Sequence, residues 1–348
     1  MRATLTIDLG AIKHNYHYLQ SLANIKVGAA IKSDCYGLGA NQITPALFEA
    51  GCRDFFVAHF EEGILVRSYL PSPEANIYVM HGIEAGEEKI FAEYGLVPSL
   101  SNLSHIKIWN DFNPRAKSII HIDTGMNRLG MSIDDFITLS ALPQGVEYLI
   151  SHLACDGDIK NQYNQLQLDR FIKATEAYKG KIKRSLAASG GIFLGPEYHF
   201  DMVRPGAALY GIGSSKNPNI KNPVSLTANI IHINHCKEDS YIGYGSTAHV
   251  KAGSILATIP IGYADGLFRF WGNRGSVLVN GKKAPIMGTL SMDLSVIDVT
   301  GLNGKLGDEV EIIGPHNLPD QIGAEAGTID YEILTSLKCG RFNRVFNV

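Results

Sequence analysis

Lys32 ends a short apolar run, Lys26-Val27-Gly28-Ala29-Ala30-Ile31, and Tyr36, Gly37 and Gly39 follow it closely. The apolar run reads as a buried strand and the glycine-containing stretch after it as a loop. A lysine at a strand end has a desolvated stem and can become a neutral amine, the form that makes a Schiff base with an aldehyde cofactor. Tyr36, four residues on, has a hydroxyl to donate to a phosphate. A salt-bridged or solvated lysine explains the stretch better when it stands alone. It does not stand alone, because unusual polar residues end other apolar runs. His121-Ile122-Asp123-Thr124-Gly125-Met126-Asn127-Arg128 straddles one such end, and His152 closes another. Ala188-Ser189-Gly190-Gly191 and Arg204-Pro205-Gly206-Ala207 follow two more, where glycines leave backbone N–H groups open to a phosphate. Each has a plain structural alternative: a core histidine, an interface arginine, an ordinary turn.

The elements that must position these residues are legible in outline. Residues 4–9 alternate as a half-buried strand, and Ile12, Tyr16, Leu19, Leu22 and Ala23 recur at helical spacing. Strand candidates then fall near 25–31, 54–59, 76–80, 96–100, 117–122, 146–151, 182–188 and 207–211. Helical patterns separate most of them, the longest spanning 162–178, and Gly51, Gly95 and Gly180 stand where C-caps belong. Eight strands alternating with helices predict an α/β fold with an N-terminal TIM (β/α)8 barrel. A doubly wound open sheet is the alternative; as a dinucleotide binder it would bring a Gly-x-Gly-x-x-Gly turn, which the chain lacks. In a barrel the site lies at the C-terminal ends of the strands, and all five polar groups fall there. That coincidence argues against the plain alternatives.

Beyond about residue 225 the texture changes to short alternating or β-branched runs: 227–233, 254–261, 276–279, 283–287, 294–299 and 309–313. Asn280-Gly281 reads as a two-residue hairpin turn. The expected division is a barrel over 1–225 and a C-terminal all-β domain over 226–348, with residues 4–9 a candidate to pair with the latter. The intervening Ser214–Pro223 stretch is rich in Ser, Asn and Pro.

Composition narrows the class. A chain of 348 residues with 45% hydrophobic content supports a large core, and a formal charge of −3 offers no basic face for nucleic acid. Five scattered cysteines make neither a disulfide framework nor a metal clip, so a reducing compartment and no metal are expected. No stretch reads as a signal peptide or bilayer span, and a soluble cytoplasmic protein without a membrane partner is the expectation.

Taken together the motifs resemble those of the alanine racemase family, which uses pyridoxal 5'-phosphate. Ala30-Ile31-Lys32 through Tyr36-Gly37 resembles its cofactor-lysine motif, Asp123 to Gly130 its substrate-arginine motif, and His199 to Gly206 its pyridine-arginine motif. Pro260-Ile261-Gly262-Tyr263-Ala264-Asp265-Gly266 resembles the catalytic-tyrosine motif, Ser291-Met292-Asp293 a shorter one, and Asp330-Tyr331-Glu332-Ile333 the phosphate-tyrosine segment. The resemblance implies racemisation of L- and D-alanine by two bases, Lys32 on the D face and Tyr263 on the L face, supplying D-alanine for peptidoglycan. It implies that Lys32 holds the cofactor, that Arg204 faces its pyridine nitrogen, and that Tyr36, Ser189, Gly206, Ala207 and Tyr331 cradle its phosphate. Tyrosine titrates near ~10, so nearby cations must lower it, and His152 with Arg204 are implied to contribute to that field. Arg128, with the Met292 backbone, would face the carboxylate of a small amino-acid substrate. The family also implies a homodimer whose active sites are shared between chains.

Some positions depart from the family pattern. His121 stands where many members carry a carbamylated lysine, and Ser33-Asp34-Cys35-Tyr36-Gly37-Leu38-Gly39 replaces the common Ala-Asn-Ala-Tyr-Gly-His-Gly. Ala188 and Ser291 replace an asparagine and a cysteine. These bear on how Arg128 is held and on the choice of substrate. Two enzymatic alternatives are a racemase of another small amino acid such as serine and a barrel-type pyridoxal-phosphate decarboxylase. The decarboxylases would bring a cysteine-aspartate motif where Ser291-Met292-Asp293 stands. A non-enzymatic cofactor-carrying barrel needs neither Tyr263 nor a second domain.

Overall fold

A computed structural model describes residues 3–348, which fall into two compact units. One unit comprises Lys13–Cys35 and Ala40–Leu209. The other comprises the chain up to Ile12, Tyr36–Gly39 and Tyr210–Val348.

Among the described residues of the first unit, eight parallel strands close on one another. The first is split at Gly28 into Lys26–Val27 and Ala29–Ala30, and Asp54–Val57, Asn76–Val79, Leu96–Leu100, Ser118–Asp123, Val146–Ile150, Lys183–Ser185 and Met202–Val203 follow. Ala29–Ala30 pairs forward with Phe55–Phe56, while Lys26–Val27 pairs back with Met202–Val203. The seventh and eighth strands are joined by Asp201 N–H donating to Arg184 O (2.9 Å), Arg204 N–H to Ala187 O (2.9 Å) and Ser185 Oγ to Met202 O (2.5 Å). The second to fifth strands are buried along nearly their whole length and have no polar side to alternate with, which is why they read as largely apolar runs. Phe56, Tyr78, Val97, Ile119, Tyr148 and Met202, from six different strands, pack into one buried cluster. The barrel interior is therefore filled, and chemistry is left to its rim.

Helices follow the strands at Ala40–Glu49, Phe60–Tyr69, Glu88–Tyr94, Leu103–Phe112, Ile133–Thr138 and Gln162–Thr175. Gly95 ends its helix in the left-handed conformation at φ 59°, as the C-cap reading expected. The eighth strand is a correction: it lies at Met202–Val203, and Ala207–Tyr210, expected as a strand, is a 3-10 turn. The stretch after Lys32 is not an open loop either. Ser33, Asp34, Cys35 and Tyr36 have φ of 54°, 57°, 53° and 58°, one turn of left-handed helix.

In the second unit a six-stranded sheet runs in the order Lys282–Pro285, Ser276–Val279, Glu309–Ile313, Val224–Asn229, Thr4–Asp8, Asn343–Asn347. Thr4–Asp8 pairs antiparallel with Val224–Asn229 and parallel with Asn343–Asn347. Val279 and Lys282 face one another across Asn280 (φ 51°) and Gly281 (φ 72°), the two positive φ angles of the expected hairpin turn. A second sheet joins His232–His235, Ile255–Ile259 and Ser295–Asp298. The unit is β-rich but also carries helices Pro319–Ala326 and Asp330–Ser336, which the strand reading had not marked. No helix of the described residues is long and apolar enough to cross a membrane.

Candidate active site

Lys32 stands at the end of the first barrel strand, and the left-handed turn begins with the next residue. A left-handed turn costs about 1–2 kcal/mol per non-glycine residue and needs support from outside itself. Glu62 supplies it: Oε1 accepts from Ser33 N–H (2.6 Å), while Oε2 accepts from Ala58 N–H (2.7 Å) and His59 N–H (3.4 Å). Asp34 Oδ1 accepts from Ala40 N–H (2.7 Å) across the far side of the turn. The Lys32 side chain is open to solvent, yet the protein around it displaces enough water to lower its pKa below the ordinary lysine value. Arg128 repels its charge further, and Glu62 acts the other way.

Arg204 leaves the eighth strand buried and spans the rim. One guanidinium nitrogen donates to Ser185 Oγ, and the other to Ser151 O (2.5 Å) and Leu186 O (3.5 Å). Its guanidinium lies 5.9 Å from the centre of the Phe56 ring, directly on the packed interior. Burial lowers its pKa only to about 10, so it remains a cation. That cation helps keep two histidines neutral. Burial, then Arg204 and Arg128, push His152 down to about 3. Burial and Arg204 likewise push His121 to about 4, against an opposing pull from Asp123. His121 Nδ1 is buried with no hydrogen-bond partner among the described residues. Lys32, Arg128 and Arg204 thus give the rim a cationic field suited to an anionic guest.

The Ser189 hydroxyl accepts from Gly206 N–H (3.0 Å) and Ala208 N–H (3.1 Å), joining the loops after the seventh and eighth strands. Asp156 Oδ2 accepts from Gly191 N–H (3.0 Å) and pins the same loop from behind. Arg128 is exposed, and its guanidinium has no ion pair or hydrogen bond among the described residues. Its loop is nevertheless held by the long helix Gln162–Thr175. Tyr163 OH donates to Gly125 O (2.8 Å) and Arg170 to Thr124 O (3.1 Å). Gln167, fully buried, donates to His152 O (3.0 Å) and Thr124 Oγ1 (3.3 Å) and accepts from Ala154 N–H (2.8 Å). These polar residues escaped the sequence reading because a buried glutamine on an amphipathic helix looks like any polar-face residue.

In the second unit, Tyr36 is buried with its ring 4.8 Å from that of Tyr210 and 6.2 Å from that of Tyr331. The two tyrosines expected at a phosphate are thus together. Tyr263 opens a 3-10 turn and is 41% exposed, and Met292 is 53% exposed. Tyr263 N–H donates to Ser291 O (3.1 Å) and Ala264 N–H to Met292 O (3.0 Å), so the two motif loops run side by side. Of the expected site residues, the first unit gathers Lys32, Arg128, His152, Ser189, Arg204, Gly206 and Ala207 at one rim. The second gathers Tyr36 with Tyr331 and Tyr263 with Met292. No group of His, Cys, Asp or Glu among the described residues has the makings of a metal site.

Residues 7–214 match the family profile "Alanine racemase, N-terminal domain" and residues 223–346 match "Alanine racemase, C-terminal domain". The alanine racemase of Rickettsia canadensis is 50% identical over 347 residues covering 96% of each chain, and that of Rickettsia conorii is 48% identical over the same coverage. Among solved structures, alanine racemase from Bartonella henselae with covalently bound pyridoxal phosphate superposes with a TM-score of 0.94, at 38% identity and 99% coverage of both chains. The biosynthetic alanine racemase of Pseudomonas aeruginosa gives 0.90 at 28% identity, covering 100% of this chain and 99% of that one.

Proposed function

The chain belongs to the alanine racemase family, and from that premise we propose that it interconverts L- and D-alanine with Lys32 and Tyr263 as its two proton carriers. The observation that carries the reading is the rim itself, where the barrel strands end in a lysine with a lowered pKa, the buried cation Arg204 and a Ser189 hydroxyl that gathers Gly206 and Ala208 N–H. The residues fit pyridoxal phosphate. In the barrel unit Lys32 offers an amine that loses its proton readily and Ser189 gathers backbone N–H groups where a phosphate would dock; within the second unit Tyr36 and Tyr331 set two phenols beside one another. When bound, that cofactor supplies the electron sink that makes the α-proton of an amino acid acidic.

The chain's own residues would then divide the work. Arg128 offers an unpaired guanidinium to a substrate carboxylate. Arg204, a cation fixed by two carbonyls and a hydroxyl, has no proton to release at neutral pH and would leave a cofactor ring nitrogen set against it without a proton. His152, kept neutral by burial and by the arginines, adds no charge of its own to that field. Lys32 Nζ moves the proton on one face and the Tyr263 hydroxyl on the other, since inverting a centre needs a donor on each side. Tyr263 and Met292 stand exposed on the single chain and lie in the unit that does not contain Lys32. Both observations support a homodimer in which each site takes these residues from the partner copy. D-Alanine for peptidoglycan, made in the cytoplasm, is the role this reading gives the product.

The test is direct. The purified protein incubated with L-alanine should yield D-alanine, and borohydride treatment of the cofactor-loaded protein should fix the label on the peptide containing Lys32. Carbon dioxide in place of D-alanine, or label on Lys282 or Lys283, contradicts the reading.

A further inference from the structure

Arg341 lies near the end of the chain, 76 positions beyond Asp265, and its guanidinium meets two carboxylates. Nε donates to Asp265 Oδ1 (2.8 Å) and Nη2 to Asp265 Oδ2 (3.0 Å), a bidentate pair, while Nη2 also lies 2.7 Å from Asp293 Oδ1. Its backbone N–H points to Asp265 Oδ1 as well (3.3 Å). Asp265 is buried and turns its second oxygen back to accept from Gly262 N–H (3.2 Å), closing the turn that begins at Tyr263. Asp293 belongs to the loop that carries Met292. A Cβ at position 262 would stand 2.4 Å from both Ser291 O and Met292 O, so only glycine lets the two loops touch there. Burial alone would push the Asp265 carboxyl up, but the bonds from Arg341 and Gly262 outweigh it and hold it below the usual range.

We infer that Arg341 is a positioning residue that ties the Tyr263 loop to the Met292 loop through Asp265 and Asp293, fixing where the Tyr263 hydroxyl meets the substrate. This rests on the assignment of Tyr263 as a proton carrier. A guanidinium suits the task because its planar fork spans two acceptors at once; an ammonium is a point charge and cannot hold both carboxylates in one plane. With the fork gone, Asp265 loses its partner, the turn at 262–266 loosens, and the tyrosine no longer reaches the α-proton in a productive pose. Misplacement of a reacting group by about 1 Å costs on the order of 100-fold in rate.

The experiment compares the parent with Arg341→Lys and Asp293→Asn, the second variant leaving the buried Asp265 pair in place. Two readouts are taken. Amide hydrogen exchange over residues 262–266 and 291–293 is followed in protein stripped of cofactor. Primary isotope effects are then measured with α-deuterated L-alanine and α-deuterated D-alanine on the loaded enzyme. The expected result is faster exchange in both loops, a kcat lower by roughly tenfold or more for Arg341→Lys, and an isotope effect that rises for L-alanine but not for D-alanine. A merely structural loss changes the isotope effects of the two directions alike. Parent-like exchange, or isotope effects that change equally in the two directions, overturns the inference. A parent that does not racemise alanine, or a fully active Tyr263→Phe, refutes the functional reading instead, and the exchange measurement still decides whether the clamp exists.

Discussion

His121 shows what a single side chain contributes to this rim. Its pKa falls from 6.5 to about 4 because burial and the Arg204 charge oppose a second proton. A folded pKa below the unfolded one means that the unfolded chain takes up the proton first as pH falls. The stability is therefore whole above about pH 6.5 and is lost progressively as the pH drops toward 4, by on the order of 3 kcal/mol for this residue. His152 acts in the same sense over a window reaching to about 3. In protein free of cofactor, the urea midpoint should fall between pH 7 and pH 5, and His121→Asn should fall less steeply than the parent. Parallel pH profiles for the two proteins would contradict a buried neutral imidazole at this position. The same neutrality means that His121 carries no fixed negative charge with which to orient Arg128, whose loop is held instead by Tyr163, Gln167 and Arg170.

At the scale of elements, the left-handed turn after Lys32 depends on Glu62, the third residue of helix Phe60–Tyr69. Its carboxylate serves that helix's own N-terminus and, through Ser33 N–H, the turn that follows the lysine. Glu62→Ala should cost about 1.5–3 kcal/mol, the range of a hydrogen bond to a charged group, read from the shift in urea midpoint. Removing its charge should also lower the Lys32 pKa further, since Glu62 raises it. The reaction of Lys32 with pyridoxal phosphate should then extend to lower pH, and an unchanged profile would show that Glu62 does not act on the lysine. None of this support was legible in the sequence, because four non-glycine residues in left-handed conformation carry no local signature. Most of the barrel strands were legible, since burial on both faces makes Asp54–Val57, Asn76–Val79, Leu96–Leu100 and Ser118–Asp123 short, largely apolar runs. The eighth escaped because Met202–Val203 is only two residues long and sits inside a polar motif, whereas the apolar Ala207–Tyr210 imitates a strand. Asp265 and Asp293 were visible in their motifs, but their partner Arg341 lies far along the chain and no spacing rule joins them. The helices Pro319–Ala326 and Asp330–Ser336 escaped because each is short, and the second coincides with a stretch read for its tyrosine.

The whole molecule poses the central question, because its two proposed bases lie in different units of one chain. If Tyr263 serves the barrel of a partner copy, a Lys32→Ala chain and a Tyr263→Ala chain are each nearly inactive alone. In a mixed dimer one site carries both defects and the other carries neither. Random pairing makes about half the dimers mixed, so about one site in four is intact. Co-expressing or refolding the two variants together should therefore restore up to roughly a quarter of the parent activity. A mixture no more active than either variant, with subunit exchange demonstrated by differently tagged chains, would contradict a shared site.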